Sequence, residues 1–158
     1  MTVVSFREWE FLADVELTKQ TYQQVINSGA ESCNCNDCQN YIAYRDKVFP
    51  ADIQKLFEDL GLDYNKEVEI TSWQTLPNGY HHIGGWFHFK GEIVKGESCQ
   101  ISLLTGGHNL QLTRVHKNFS IGFFEGNSLT FFKDKDGLIQ IEFETEIPWV
   151  IDKSLETK

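Results

Sequence analysis

No stretch of this 158-residue chain approaches the roughly eighteen consecutive apolar residues that a membrane-spanning helix requires. The opening MTVVSFREWEF lacks a basic segment followed by an apolar core of signal-peptide length, so a cytoplasmic protein is expected. Proline is scarce, at three residues, and there is no Pro- or Ser-rich linker, internal repeat or low-complexity tract. A single globular domain over residues 1–158 is therefore expected. Clustered Lys and Arg are also missing: the nearest approach is the alternating KDKD at 133–136, which reads as a turn. With 23 acidic against 14 basic residues the formal charge is −9, a field that repels phosphate backbones and anionic headgroups. Nucleic acid and membrane are thus disfavoured, which leaves a protein or small-molecule partner of unspecified identity. Nucleophile elbows, phosphate-cradling glycine loops, H-E-x-x-H and dinucleotide fingerprints are absent as well.

What is present suffices for a packed core. Apolar residues make up 41% and aromatics 13%, far from the composition of a disordered chain. Alternation over residues 9–17, WEFLADVEL, predicts an opening strand, followed by a short helix in TKQTYQQVINSG with Thr18 as its cap and Gly29 as its stop. A helix is predicted from Asn36, as N-cap with Gln39 completing a capping box, to about Val48. Pro50 breaks it and opens a second helix that presents Ile53, Leu56, Phe57 and Leu60 on one face before Gly61 ends it. Everything after Asp63 reads as strands: 68–73, a long strand over 80–94 bent or bulged at Gly84 and Gly85, ISLL and LQLTRV around a GGHN turn, a hairpin in FSIGFFEGNSLTFF turning at Gly126 and Asn127, and a last strand ending at Pro148. Helices early and strands afterwards predict an α+β fold, with the helical pair packed on a mostly antiparallel, curved β-sheet or small β-sandwich.

Three of the four cysteines, Cys33, Cys35 and Cys38, fall in ESCNCNDCQNY directly before the helix. The C-x-C-x2-C spacing lets neighbouring thiolates meet one ion at a turn entering a helix. A closed zinc site needs four ligands, so the fourth would come from Cys99, His81, His82, His88, His108 or His116. Two other readings use the same residues. Cys38 in the first helical turn with Cys35 as resolving partner would form a thiol redox pair, although the βαβ context of such pairs is missing. Alternatively Cys38 packs as a small hydrophobe and the other two are incidental loop thiols.

In the strand YHHIGGWFHF, unbroken alternation puts Ile83, Phe87 and Phe89 on a core face and Tyr80, His82, Trp86 and His88 on the other. His82, Trp86 and His88 are thus candidates to line a groove, provided that no bulge at the glycine pair intervenes, and ordinary half-exposed sheet residues otherwise. Glu142, Glu144 and Glu146 alternate as a solvated sheet face does.

Cys35, Cys38 and Asn40 form a C-x-x-C-x-N segment opening a helix, followed by a Pro-broken helical pair and a β-rich half. In this the chain resembles a group of small bacterial proteins with no assigned activity, and the resemblance brings no catalytic or binding residue with it. The expectation is a binding or regulatory domain with a zinc ion, a structural one, at the cysteine cluster. The alternatives are a metal- or thiol-dependent enzyme with a His/Trp-lined groove and an acidic, immunity-type inhibitor of a basic protein.

Overall fold

The computed structural model describes residues 1–157. Two short strands, β1 (Thr2–Phe6) and β2 (Trp9–Ala13), form an opening hairpin, followed by four helices: α1 (Val15–Gln23), α2 (Gly29–Ser32), α3 (Asn36–Tyr44) and α4 (Ala51–Leu60). The remaining strands are β3 (Glu69–Thr75), β4 (His81–Lys95), β5 (Gln100–Ser102), β6 (His108–Leu110), β7 (Thr113–His116), β8 (Phe119–Glu125) and β9 (Leu138–Ile147). The predicted α+β class holds. Seven strands make one sheet in the order β1-β2-β4-β9-β8-β7, with β3 also on β4, and β5 with β6 form a separate small ribbon. Every pairing is antiparallel.

The helices cover one face. Phe87 of β4, opposite Ile141, meets Phe57 of α4 at 4.8 Å between ring centroids, and Phe49 sits 5.0 Å from Phe143. Farther along the same face Phe11 packs on Phe89 and Phe123. The α4 pattern is as the spacing predicts: Ile53, Leu56, Phe57 and Leu60 are buried, and Gly61 closes the helix with φ +88°, a left-handed conformation that suits glycine.

Several elements differ from expectation. The alternation over 9–17 ends at Ala13, because the Asp14 side chain accepts the Leu17 N–H at 3.0 Å and starts α1 there. Gly29 opens α2 instead of stopping a helix, and Ser28 and Glu31 form the reciprocal capping box there. No bulge interrupts β4 at Gly84 and Gly85, which pair in register with Glu144 and Phe143; the irregularity lies on β3, between Ser72 and Gln74. The hairpin expected at Gly126 has only one arm. Residues 126–137 form no strand, since Phe132 folds back into the core and the Trp86 Nε1–H donates to the Ser128 carbonyl at 3.0 Å.

The 15-residue β4 carries two partners on one edge. β3 pairs with it as far as Trp86 and β2 joins at Gly91, so the backbone from Phe87 to Lys90 has no strand beside it there. Helix α1 fills the gap. The Tyr22 hydroxyl accepts from the His88 N–H and donates to the His88 carbonyl, both at 3.0 Å; the Lys90 N–H donates to Thr18 Oγ1 at 3.1 Å; and the Asp14 N–H donates to the Lys90 carbonyl at 2.8 Å. Side chains of a helix thus complete a sheet edge that would otherwise bury unpaired polar groups.

Candidate metal centre

The junction between α2 and α3 is held from both sides before any cysteine is considered. On the α2 side, Gly29 lies so close to β3 that a Cβ would run into the Val68 carbonyl, and its N–H donates to the Glu67 carbonyl at 2.9 Å. The buried Glu67 carboxylate receives Arg45 Nη1 at 3.0 Å and the Ala30 N–H at 3.4 Å, while Arg45 also donates to Ser28 Oγ at 3.3 Å. On the α3 side, Asn40 reaches across 108 and 110 positions of sequence. Its Nδ2 donates to the Pro148 carbonyl at 3.1 Å, and its Oδ1 accepts the Val150 N–H at 2.7 Å.

Between these anchors the loop turns so that the three sulfurs of Cys33, Cys35 and Cys38 all lie within 4.8 Å of one another. Cys33 ends α2, Cys35 is the N-cap of α3, and Cys38 stands in its first turn against the core. The cap is therefore Cys35 rather than Asn36: its extended backbone aims Sγ at the Cys38 N–H, 3.3 Å away. Sulfur is a weak acceptor as a thiol and a far better one as a thiolate at the positive end of a helix. Exposure grades across the trio, with Cys38 buried, Cys33 intermediate and Cys35 exposed. The backbone N–H of Cys35, aided by the Cys35 and Cys38 thiols, pulls the Cys33 pKa below its ordinary value, whereas burial, reinforced by the same neighbours, pushes Cys38 well up. A bound cation would replace those thiol protons.

None of the candidate fourth ligands belongs to this group among the described residues. Cys99 is buried beside Gly122 of β8. His81 places Nε2 2.8 Å from Glu156, His82 lies 3.4 Å from Glu144, and His116 lies 2.7 Å from Asp52 at the start of α4. His108 sits on the exposed β6. Among the described residues the group therefore offers three sulfur donors and no fourth.

His82, Trp86 and His88 do share the sheet face opposite the helices, as alternation requires, but their surroundings differ. His82 is half-buried against the Trp73 ring at 4.7 Å, and Trp86 is tied to Ser128. His88 is wholly enclosed, with Nε2 3.0 Å from Gln140 Oε1, whose oxygen also accepts the Ser128 N–H at 3.2 Å. Gln140 Nε2 in turn donates to Glu142 at 2.7 Å. The segment 126–137 thus seals what would have been the inner end of a groove.

Burial pushes the His88 pKa down to about 4, against the partial offset of the Gln140 contact. Its imidazole is neutral in the fold and takes up a proton more readily once unfolded. Stability from this group is therefore full above the ordinary value of 6.5 and is lost as pH falls toward 4. Between pH 7 and pH 5 the loss is expected to be about 2 kcal/mol, visible as a falling urea midpoint. In His88→Gln this slope should flatten; an unchanged slope would assign the acid sensitivity to other groups.

No helix among the described residues is long and apolar enough to cross a membrane. Comparison of the chain with protein-family models, with curated proteins and with solved structures finds no match.

Proposed function

We propose that the chain is a binding or regulatory domain in which Cys33, Cys35 and Cys38 hold one zinc ion, and that the ion fastens the α2–α3 junction against the sheet. The observation that carries this reading is the convergence of the three sulfurs within 4.8 Å. A tetrahedral zinc with bonds of about 2.3 Å holds its thiolates about 3.8 Å apart, a modest contraction from that limit. A [4Fe–4S] cluster fits less well, because each cysteine would ligate a different iron and the sulfurs would stand wider apart. With three protein ligands, water takes the fourth place. Its partner is a protein or a small molecule, the −9 charge being unfavourable for polyanions.

Cys35→Ser tests this cleanly, since serine is a good N-cap and preserves the start of α3 while removing a sulfur. The purified protein is expected to carry one zinc per chain by elemental analysis, and the variant none. At free zinc one hundred times the dissociation constant, binding adds about 2.7 kcal/mol, or roughly 5–10 °C in melting temperature. A protein without zinc whose melting ignores added zinc would refute the proposal.

A further inference from the structure

We infer that the Cys33–Cys35–Cys38 triangle is a receptor for a three-coordinate, trivalent thiophilic ion, with trivalent arsenic or antimony as its chemical class. This inference deepens the zinc reading and rests on it to the extent that both require the three sulfurs to close on a single ion.

Coordination number is the first ground. The three sulfurs lie within 4.8 Å of one another, no fourth side chain among the described residues joins them, and the exposed Cys35 leaves the outer side of the triangle to solvent. Such a set underfills zinc, which takes four ligands. It satisfies a pyramidal trivalent ion, which makes three bonds and directs its lone pair away from them. Cys38 is buried and Cys33 part-buried against the core, while Cys35 is exposed, so the trio is accessible to an incoming ion from the Cys35 side.

Charge is the second ground. Three thiolates neutralise a trivalent ion, whereas around zinc they leave one negative charge. That residual charge would stand on a chain already at −9, with Asp37 in the first turn of α3 and Glu31 in α2. Arg45, 3.9 Å from Glu31, is paired more closely with the buried Glu67, at 3.0 Å. Soft thiolate donors add a preference for soft ions.

The binding step is an exchange without change of oxidation state. Arsenite enters as As(OH)3; three As–O bonds break and three As–S bonds form. Each thiol proton leaves with one hydroxyl, giving three waters and a neutral trithiolate.

The experiment titrates sodium arsenite into reduced, zinc-free protein and, separately, into zinc-loaded protein with a chromophoric zinc chelator. Expected are one arsenic and three lost protons per chain by intact mass, and release of zinc from the loaded form. Cys35→Ser should weaken arsenite binding by roughly 100-fold or more, as loss of one linked donor does, while Cys99→Ala should bind as the parent does. Binding through only two sulfurs, or equal affinity in Cys35→Ser, would overturn the inference. If zinc binds and arsenite does not, this inference fails and the zinc reading stands; if neither binds, both fail.

Discussion

Replacing Arg45 with methionine is expected to destabilise the protein by about 3–5 kcal/mol, because it strands the Glu67 carboxylate where water does not reach. The Glu67 side chain is fully buried, and among the described residues Arg45 is its one cationic partner, at 3.0 Å. Even with that partner, burial raises the Glu67 pKa, outweighing the lowering by Ser28, Arg45 and the Ala30 N–H. A carboxylate raised in the fold favours its neutral form there, so its contribution falls as pH rises from the unfolded value through the folded one. Removing Arg45 takes away a lowering influence and raises the folded value further. The deficit of Arg45→Met should therefore be larger at pH 7.5 than at pH 5, as read from urea midpoints at both. Adding Glu67→Gln should recover much of the loss, since the amide oxygen can still accept from Ala30 while no charge remains to be stranded. A cost below about 1 kcal/mol at pH 7.5 would mean that the carboxylate reaches solvent. If Cys33, Cys35 and Cys38 hold zinc as proposed, its affinity should fall with Arg45→Met too, because Arg45 holds Ser28 and Glu67 together at the base of α2, on which Cys33 stands.

Sequence periodicity is a local signal, and the elements legible from it are those whose cause is local. Helix α4 is an example: Pro50, the apolar spacing from Ile53 to Leu60 and Gly61 all lie within twelve residues, and the structure follows them closely. The sharing of one face by His82, Trp86 and His88 is another, since it needs only the two-residue period of β4. Asparagine caps helices more often than cysteine does, so the sequence points to Asn36 as the N-cap of α3; only the folded loop shows the Cys35 sulfur turned onto the Cys38 N–H. The cysteine convergence was legible as spacing, but the lack of a fourth ligand was not, since Cys99 and the histidines are placed by distant strands. The run LTFF reads as a strand for the reason that any apolar run does, but Phe132 is drawn into the core, edge-on to Tyr22 of α1. His88 looked half-exposed because alternation assumes one solvated face, and that face is closed by the same segment.

Tyr22→Phe should show how far the split sheet edge depends on one oxygen. The hydroxyl is the partner of both the N–H and the carbonyl of His88, and the substitution removes it without changing the ring that packs on Phe131 and Phe132. Two buried backbone groups then lose their partners at once, at about 1–3 kcal/mol each, so a loss of about 2–6 kcal/mol is expected. Desolvation by burial keeps the phenol protonated, so the hydroxyl donates as well as accepts throughout the neutral range. The same logic makes Thr18→Val, which removes the acceptor for the Lys90 N–H, a smaller version of the experiment with one orphaned group instead of two. Hydrogen exchange supplies the local readout: in the parent the His88 amide should exchange only on global unfolding, whereas in Tyr22→Phe it should exchange through local opening while the Phe87 and Phe89 core remains closed. If Tyr22→Phe is neutral and the His88 amide stays protected, then a strand or water serves that edge and α1 is only a covering helix. If both changes appear, α1 belongs to the sheet energetically although it is a helix by geometry, and the continuity of β4 between β3 and β2 rests on its side chains.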